Sequence, residues 1–112
     1  MVASRVATWG PAVLWAGLIF TLSSIPDLGT DLGVWDTILR KLAHTAEFAV
    51  FGALVYRAVN NAPTAILLSS AFAATDELHQ TFVTGRHGSP LDWVIDTVGV
   101  VLGVAAAAWL SR

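Results

Sequence analysis

The chain has 112 residues, enough for one domain, of which 55% are hydrophobic and 12% charged, against ~25% charged in an ordinary soluble domain. With a mean hydropathy of +0.68, this composition excludes a disordered tail and disfavours a water-soluble globule, because a small soluble domain must cover a large surface with polar side chains. A net charge of −2 leaves no basic footprint for nucleic acid, and the absence of Cys rules out a disulfide framework, a thiolate metal site and a cysteine nucleophile.

Each bilayer crossing takes about 20 apolar residues, so four spans would use roughly 80 positions and leave no room for a separate soluble domain. Residues 6–25 form the cleanest candidate, without an ionisable group and with Trp9 and Trp15 towards its beginning. The run is too long for a usual signal-peptide core and no A-x-A-like site follows it, so it reads as a span. Pro11 is expected near its first turn, and Ser23, Ser24 and Pro26 mark its end. After a loop rich in Pro, Gly and Asp, residues 36–59 read as a second helix, polar first and apolar last, broken by Asn60, Asn61 and Pro63. Residues 62–83 form a third span whose polar part, Asp76, Glu77, His79 and Gln80, comes late. In the fourth, residues 91–110, Asp92 and Asp96 come early and the remainder is Val, Gly and Ala. These features predict one all-α domain over residues 1–112, a four-helix transmembrane bundle of up-down-up-down topology.

Lys and Arg divide evenly between the two sides: Arg5, Arg57 and Arg112 on one, Arg40, Lys41 and Arg86 on the other. The second group lies among acidic residues and reads as functional, so the expected placement is a multi-pass protein of the cell membrane with both termini cytoplasmic.

Alternating helix directions would bring the start of the second helix, the end of the third and the start of the fourth to one face of the membrane. At 100° per residue, Lys41, His44, Glu47, Phe48 and Phe51 share an arc of roughly 120°, and Asp76, His79 and Gln80 one of about 100°. Glu77 lies at the edge of that second arc and is expected to face a different neighbour. Asp92, Asp96, Gly99 and Gly103 fall on one narrow stripe, and the Gly99-x-x-x-Gly103 spacing lets another backbone approach closely. A charge at mid-membrane costs at least ~2.5 kcal/mol, so such a cluster demands partners or water. Five carboxylates (Glu47, Asp76, Glu77, Asp92, Asp96) face three cations (Arg40, Lys41, Arg86), which calls for something positive in the layer: a proton, a metal or a substrate group.

In order, the polar residues spell Arg40-Lys41-x-x-His44-x-x-Glu47-Phe48, then Asp76-Glu77-x-His79-Gln80-x-Phe82-x-x-Gly85-Arg86, then Ser89-x-x-Asp92-x-x-x-Asp96-x-x-Gly99-x-x-x-Gly103. From about Ser23 to Gly103 this pattern resembles the VanZ-like family. The resemblance implies a compact multi-helix membrane domain linked to the cell envelope and to antibiotic resistance, namely low-level resistance to the glycopeptide teicoplanin. It maps the family's polar positions onto Lys41, His44, Glu47, Asp76, Glu77, Gln80, Arg86, Asp92 and Asp96, with Asp96 standing where many relatives carry an Asn-like residue.

Three functions fit such a layer. One is a site for the head group of a lipid-linked cell-wall precursor, reached from the surrounding membrane lipids. Lys41, Glu77, Gln80, Arg86, Asp92 and Asp96 would bind it, Arg86 gripping phosphate or carboxylate with paired donors, while His44, Glu47, Asp76 and His79 are the candidates for proton transfer. A second is a divalent-metal site on the same His44, Glu47, Asp76 and His79, because His44-x-x-Glu47 and Asp76-x-x-His79 each put imidazole and carboxylate one turn apart. The third is a purely structural polar network without catalysis. Of these the head-group site is preferred, with no resident cofactor. A proton or ion conduit fits poorly, since the polar residues stop halfway. Ser23 and Ser24 suggest nucleophiles near His44 less readily than a helix end, and Trp35 and Trp93 are expected to be interfacial anchors.

Overall fold

In a computed structural model, which describes residues 2–24, 34–83 and 89–111, the protein is all-α: α1 (Val2–Ser23), α2 (Val34–Val59), α3 (Ala62–Gln80) and α4 (Pro90–Leu110), with no strand among the described residues. The helix ends follow local chemistry. Asn60, at φ 54°, takes the left-handed conformation that closes α2, and its N–H donates to the Tyr56 carbonyl at 2.7 Å. Asn61 then caps α3, its Oδ1 accepting from the Thr64 N–H at 2.9 Å, with Pro63 in the first turn, where a missing N–H costs nothing. Ser89 caps α4 in the same way, accepting from the Asp92 N–H at 3.1 Å. Asp92 itself sits in the first turn, where the helix dipole favours a negative charge.

Two expectations need correction. The first helix begins at Val2, not near Val6, so Pro11 lies in its interior and not near its first turn, leaving the Ala7 carbonyl without the usual i+4 donor. The third ends at Gln80, not Val83: Thr81 turns out of the helix, its hydroxyl donating to the Leu78 carbonyl at 2.6 Å.

α2 and α4 share the most extensive interface, α3 leans on both, and α1 packs on α2 with a lighter touch on α3. Along α2 and α4 the contacts advance together, Thr45 against Gly99 and Ala49 against Gly103, so these two helices run parallel. Side chains at the two glycines would collide with the Thr45 and Ala49 carbonyls, and at Gly52 an added Cβ would lie 2.8 Å from the Val100 carbonyl oxygen. The interface is therefore a backbone-to-backbone seam of the kind that small residues permit between helices in lipid. Phe48, Val100 and Val104 are fully buried beside it, and the Phe51 and Phe72 rings meet at 4.9 Å.

The outside of the bundle is apolar. Leu14, Leu67, Phe82, Leu91, Leu102 and Leu110 all point outwards, while Ser69, Asp76, Glu77, Gln80 and Asp96 are buried. Such inverted polarity is what lipid as a solvent selects, since exposed apolar groups cost nothing there and polar groups must find partners inside. Arg5–Ser23 and Pro90–Leu110 are long and apolar enough to cross a membrane. α2 and α3 fall short by that measure because charged residues interrupt them, Arg40, Lys41, Glu47 and Arg57 in α2 and Asp76 and Glu77 in α3.

Candidate functional site

Hydrogen bonds bring the end of α1, the start of α2, the end of α3 and the start of α4 to one level. Ser23, the last residue of α1, donates its hydroxyl to Asp76 Oδ1 on α3 at 2.6 Å. Gln80, one turn further along α3, donates Nε2 to Asp76 Oδ2 at 3.2 Å, so both oxygens of a carboxylate only 1% exposed are met by neutral donors. Beside it, Ser24 Oγ lies 2.9 Å from His79 Nε2, and the Phe20 ring stacks on that imidazole with centroids 4.2 Å apart. Ser23 and Ser24 thus serve Asp76 and His79, a pairing that sequence reasoning missed in looking towards His44. Its only signal was a Ser-Ser pair at the level of the other polar residues.

The second half of the layer lies between α2 and α4. Lys41 Nζ donates to Asp92 Oδ1 at 2.7 Å, both side chains being partly open to the outside. His44 Nδ1 is 3.9 Å from Glu47 Oε2 on its own helix and 3.9 Å from Asp96 Oδ1 on α4. Asp96 is 1% exposed, whereas His44 and Glu47 each show about a fifth of their side chains. Glu77 joins the two halves. Adjacent to Asp76 but turned towards the start of α4, it accepts from the Ser89 N–H at 3.3 Å. From Lys41 to Glu47 is six residues, about 9 Å of helix, so the whole stratum is less than two turns deep.

Of the residues singled out from sequence, Lys41, His44, Glu47, Glu77, Asp92 and Asp96 meet around the α2 and α4 interface, while Asp76, His79 and Gln80 meet α1. Arg86 lies outside the described residues. Of the two i,i+3 pairs considered for a metal, His44 and Glu47 stand near each other, but Asp76 and His79 spend their polar atoms on Ser23, Gln80 and Ser24. Among the described residues no three His, Asp or Glu side chains gather as a metal centre needs. Trp93, expected to be an interfacial anchor, donates its indole N–H to the Ser70 carbonyl at 3.0 Å and so ties α4 to α3. Trp15 likewise donates to the Glu47 carbonyl at 2.9 Å, holding α1 against α2 just below the polar level.

Buried acids inside an apolar coat, with two helices long and apolar enough to cross a bilayer, are the features of an all-α membrane protein with a buried polar layer. A family profile described as VanZ/LLP1 matches residues 6–111, nearly the whole chain, and the chain belongs to that VanZ-like family. No curated protein and no solved structure matches it significantly.

Proposed function

We propose that the protein crosses the cell membrane four times with both termini cytoplasmic, and that its polar layer, near the outer surface, binds the head group of a lipid-linked cell-envelope precursor. The observation that supports this reading most is the layer's two-part construction. Lys41, His44, Glu47 and Asp92 form a partly open rim, and Asp76, Glu77, Gln80 and Asp96 are sealed within the bundle beside it. A network that served only to hold helices would have no need of an open rim, and the reward for such bonds in lipid averages only ~0.6 kcal/mol each.

At the rim, the Lys41 ammonium is a point charge suited to a phosphate oxygen, with Asp92 holding it in place until a ligand arrives. Glu47 and Asp92 are acceptors for hydroxyl or amino groups of a sugar or peptide head group. Arg86, three positions before the α4 cap by sequence, adds paired donors for phosphate or carboxylate. Lateral entry suits such a ligand, because its acyl chains can stay in the bilayer against the apolar outer faces while the head group docks. Sequestering or altering an envelope precursor would connect the site to the glycopeptide resistance from which the family takes its name.

The test is mass spectrometry of lipids co-purified in mild detergent with the wild type, Lys41→Gln and Arg86→Ala, alongside teicoplanin susceptibility of cells expressing each. A phosphate-bearing envelope lipid enriched on the wild type and lost from both folded variants supports the proposal. The same lipids on all three folded proteins would refute it. Collapse of folded yield in Glu47→Gln, Asp76→Asn and Arg86→Lys alike would instead favour a structural network.

A further inference from the structure

The two serines at the end of α1 differ in what they leave free. Ser23 is 2% exposed and its hydroxyl is committed to Asp76 at 2.6 Å. Ser24 opens to the outside, and its Oγ has two acceptors for a single hydrogen, the Phe20 carbonyl at 2.8 Å and His79 Nε2 at 2.9 Å. That carbonyl already accepts the Ser24 N–H at 3.0 Å, and an imidazole nitrogen is the stronger base. With the ring proton on Nδ1, the hydroxyl therefore turns to Nε2.

A hydroxyl in contact with an imidazole is the pair from which nucleophilic catalysis is built. Phe20, one turn before Ser24, stacks on the ring with centroids 4.2 Å apart and planes inclined by 23°, which fixes the direction of Nε2. The ring stands in the last turn of α3, the negative end of that helix, and against an aromatic face, so the charge it takes up during proton transfer meets a favourable field. The surroundings are apolar. Phe20 beside the ring, and Leu78 and Phe82 close to His79 along the chain, all expose their side chains at the level where the polar residues begin. In a bilayer lipid, the ester bonds lie at that same boundary between acyl chains and head group.

We propose that Ser24 and His79 are a nucleophile and base that cleave a carboxylic ester of a membrane lipid. Ser24 Oγ adds to the ester carbonyl carbon as its proton passes to His79 Nε2. The bond from that carbon to the alcohol oxygen then breaks, the alcohol leaves with the proton from Nε2, and the acyl group remains on Ser24. Water next adds to the acyl carbon while giving a proton to Nε2, and the bond to Oγ breaks as that proton returns to Ser24, releasing a fatty acid. Ester and water become acid and alcohol with no other reactant. The pair lies on the α1 side of the layer, and its chemistry holds whether or not the rim between α2 and α4 takes a ligand.

An alkyl fluorophosphonate, which modifies activated serines, tests the pair on the purified full chain in mild detergent, with adducts located by peptide mass spectrometry. Ser111 is the internal control: it too is an exposed hydroxyl just past a helix end, bonded to the Ala108 carbonyl at 3.1 Å. The wild type is expected to carry the adduct on Ser24 and not on Ser23 or Ser111, Ser24→Ala to carry none, and His79→Gln to react about 100-fold more slowly. In the same micelles the wild type should release nitrophenol from a nitrophenyl octanoate ester, and Ser24→Ala should match the protein-free rate. An unmodified Ser24, equal modification of Ser24 and Ser111, or an unchanged rate in folded His79→Gln overturns the activated pair. An adduct without ester release overturns the cleavage. Should His79→Gln fail to fold, the contrast between Ser24 and Ser111 in the wild type still decides.

Discussion

Replacing Gly103 by Ala should loosen the α2 and α4 interface although it changes no polar residue. The added methyl group would sit on the Ala49 carbonyl, and a backbone contact cannot be relieved by turning a side chain, so one helix must move away from the other. Overpacking of this kind costs about 1–3 kcal/mol, towards the upper end where the obstacle is backbone. Against it stands the gain of Ala over Gly inside a helix, about 1 kcal/mol. The net loss is about 2 kcal/mol, or roughly 30-fold in the folding equilibrium. Gly17 is the internal control: also within a helix, it has nothing within 4 Å of an added Cβ, so Gly17→Ala should be neutral or mildly stabilising. Equilibrium unfolding of both variants by denaturing detergent, followed by circular dichroism, makes the comparison. Equal midpoints for the two would refute the backbone-contact account of the seam.

Ser23→Ala removes one of the two donors to a sealed carboxylate and should cost about 1–3 kcal/mol, whereas Ser24→Ala, at an exposed hydroxyl, should cost less than about half of that; the same unfolding assay separates them. Lys41→Met breaks a pair that is partly open, so stability should fall by no more than about 1 kcal/mol while retention of a phosphate-bearing lipid is lost, as measured by lipid mass spectrometry on the folded protein. Asn60→Ala places an ordinary side chain in the left-handed region at φ 54° and should cost about 1 kcal/mol, with Asn60→Gly neutral or better, read from the unfolding midpoint.

Four helices and the level at which their polar residues meet were legible because charge in an apolar chain is expensive, so its position along each span is informative. That Glu77 faces a different neighbour was legible for a related reason: adjacent helical residues point about 100° apart, and with Asp76 turned to α1, Glu77 meets the Ser89 N–H at the start of α4. Gly99 and Gly103 announced a close approach but not its partner, since spacing on one helix says nothing about which backbone fills the groove. Gly52, which completes the seam, carried no such pattern and was missed. The hydrogen bonds of Trp15 and Trp93 were not legible for a similar reason. An indole on an apolar helix looks like an anchor, and only the packed structure reveals that its N–H reaches a carbonyl on a neighbouring helix. Helix starts were harder still, because a flank such as Val2 to Arg5 carries no Gly or Pro to mark where the helix begins.

The seam and the polar layer are two parts of one register. Lys41 and Asp92, 51 positions apart, meet at the same level, and the contacts of Thr45 with Gly99, Ala49 with Gly103 and Gly52 with Val100 bracket that offset along the parallel pair. A slip of one turn, about 5.4 Å, would separate Lys41 from Asp92 and carry His44 away from Asp96. Hydrogen bonds in lipid are too weak to forbid such a slip alone, and apolar contacts between smooth Leu and Val surfaces scarcely resist it. Glycines seated on particular carbonyls do resist it, because each displaced position puts a side chain where only a hydrogen atom fits. Precision at the rim therefore originates in a seam that starts within a turn of Glu47 and Asp96 and runs on into the apolar half of the bundle, and a weakened seam should blunt ligand retention even with every polar residue in place.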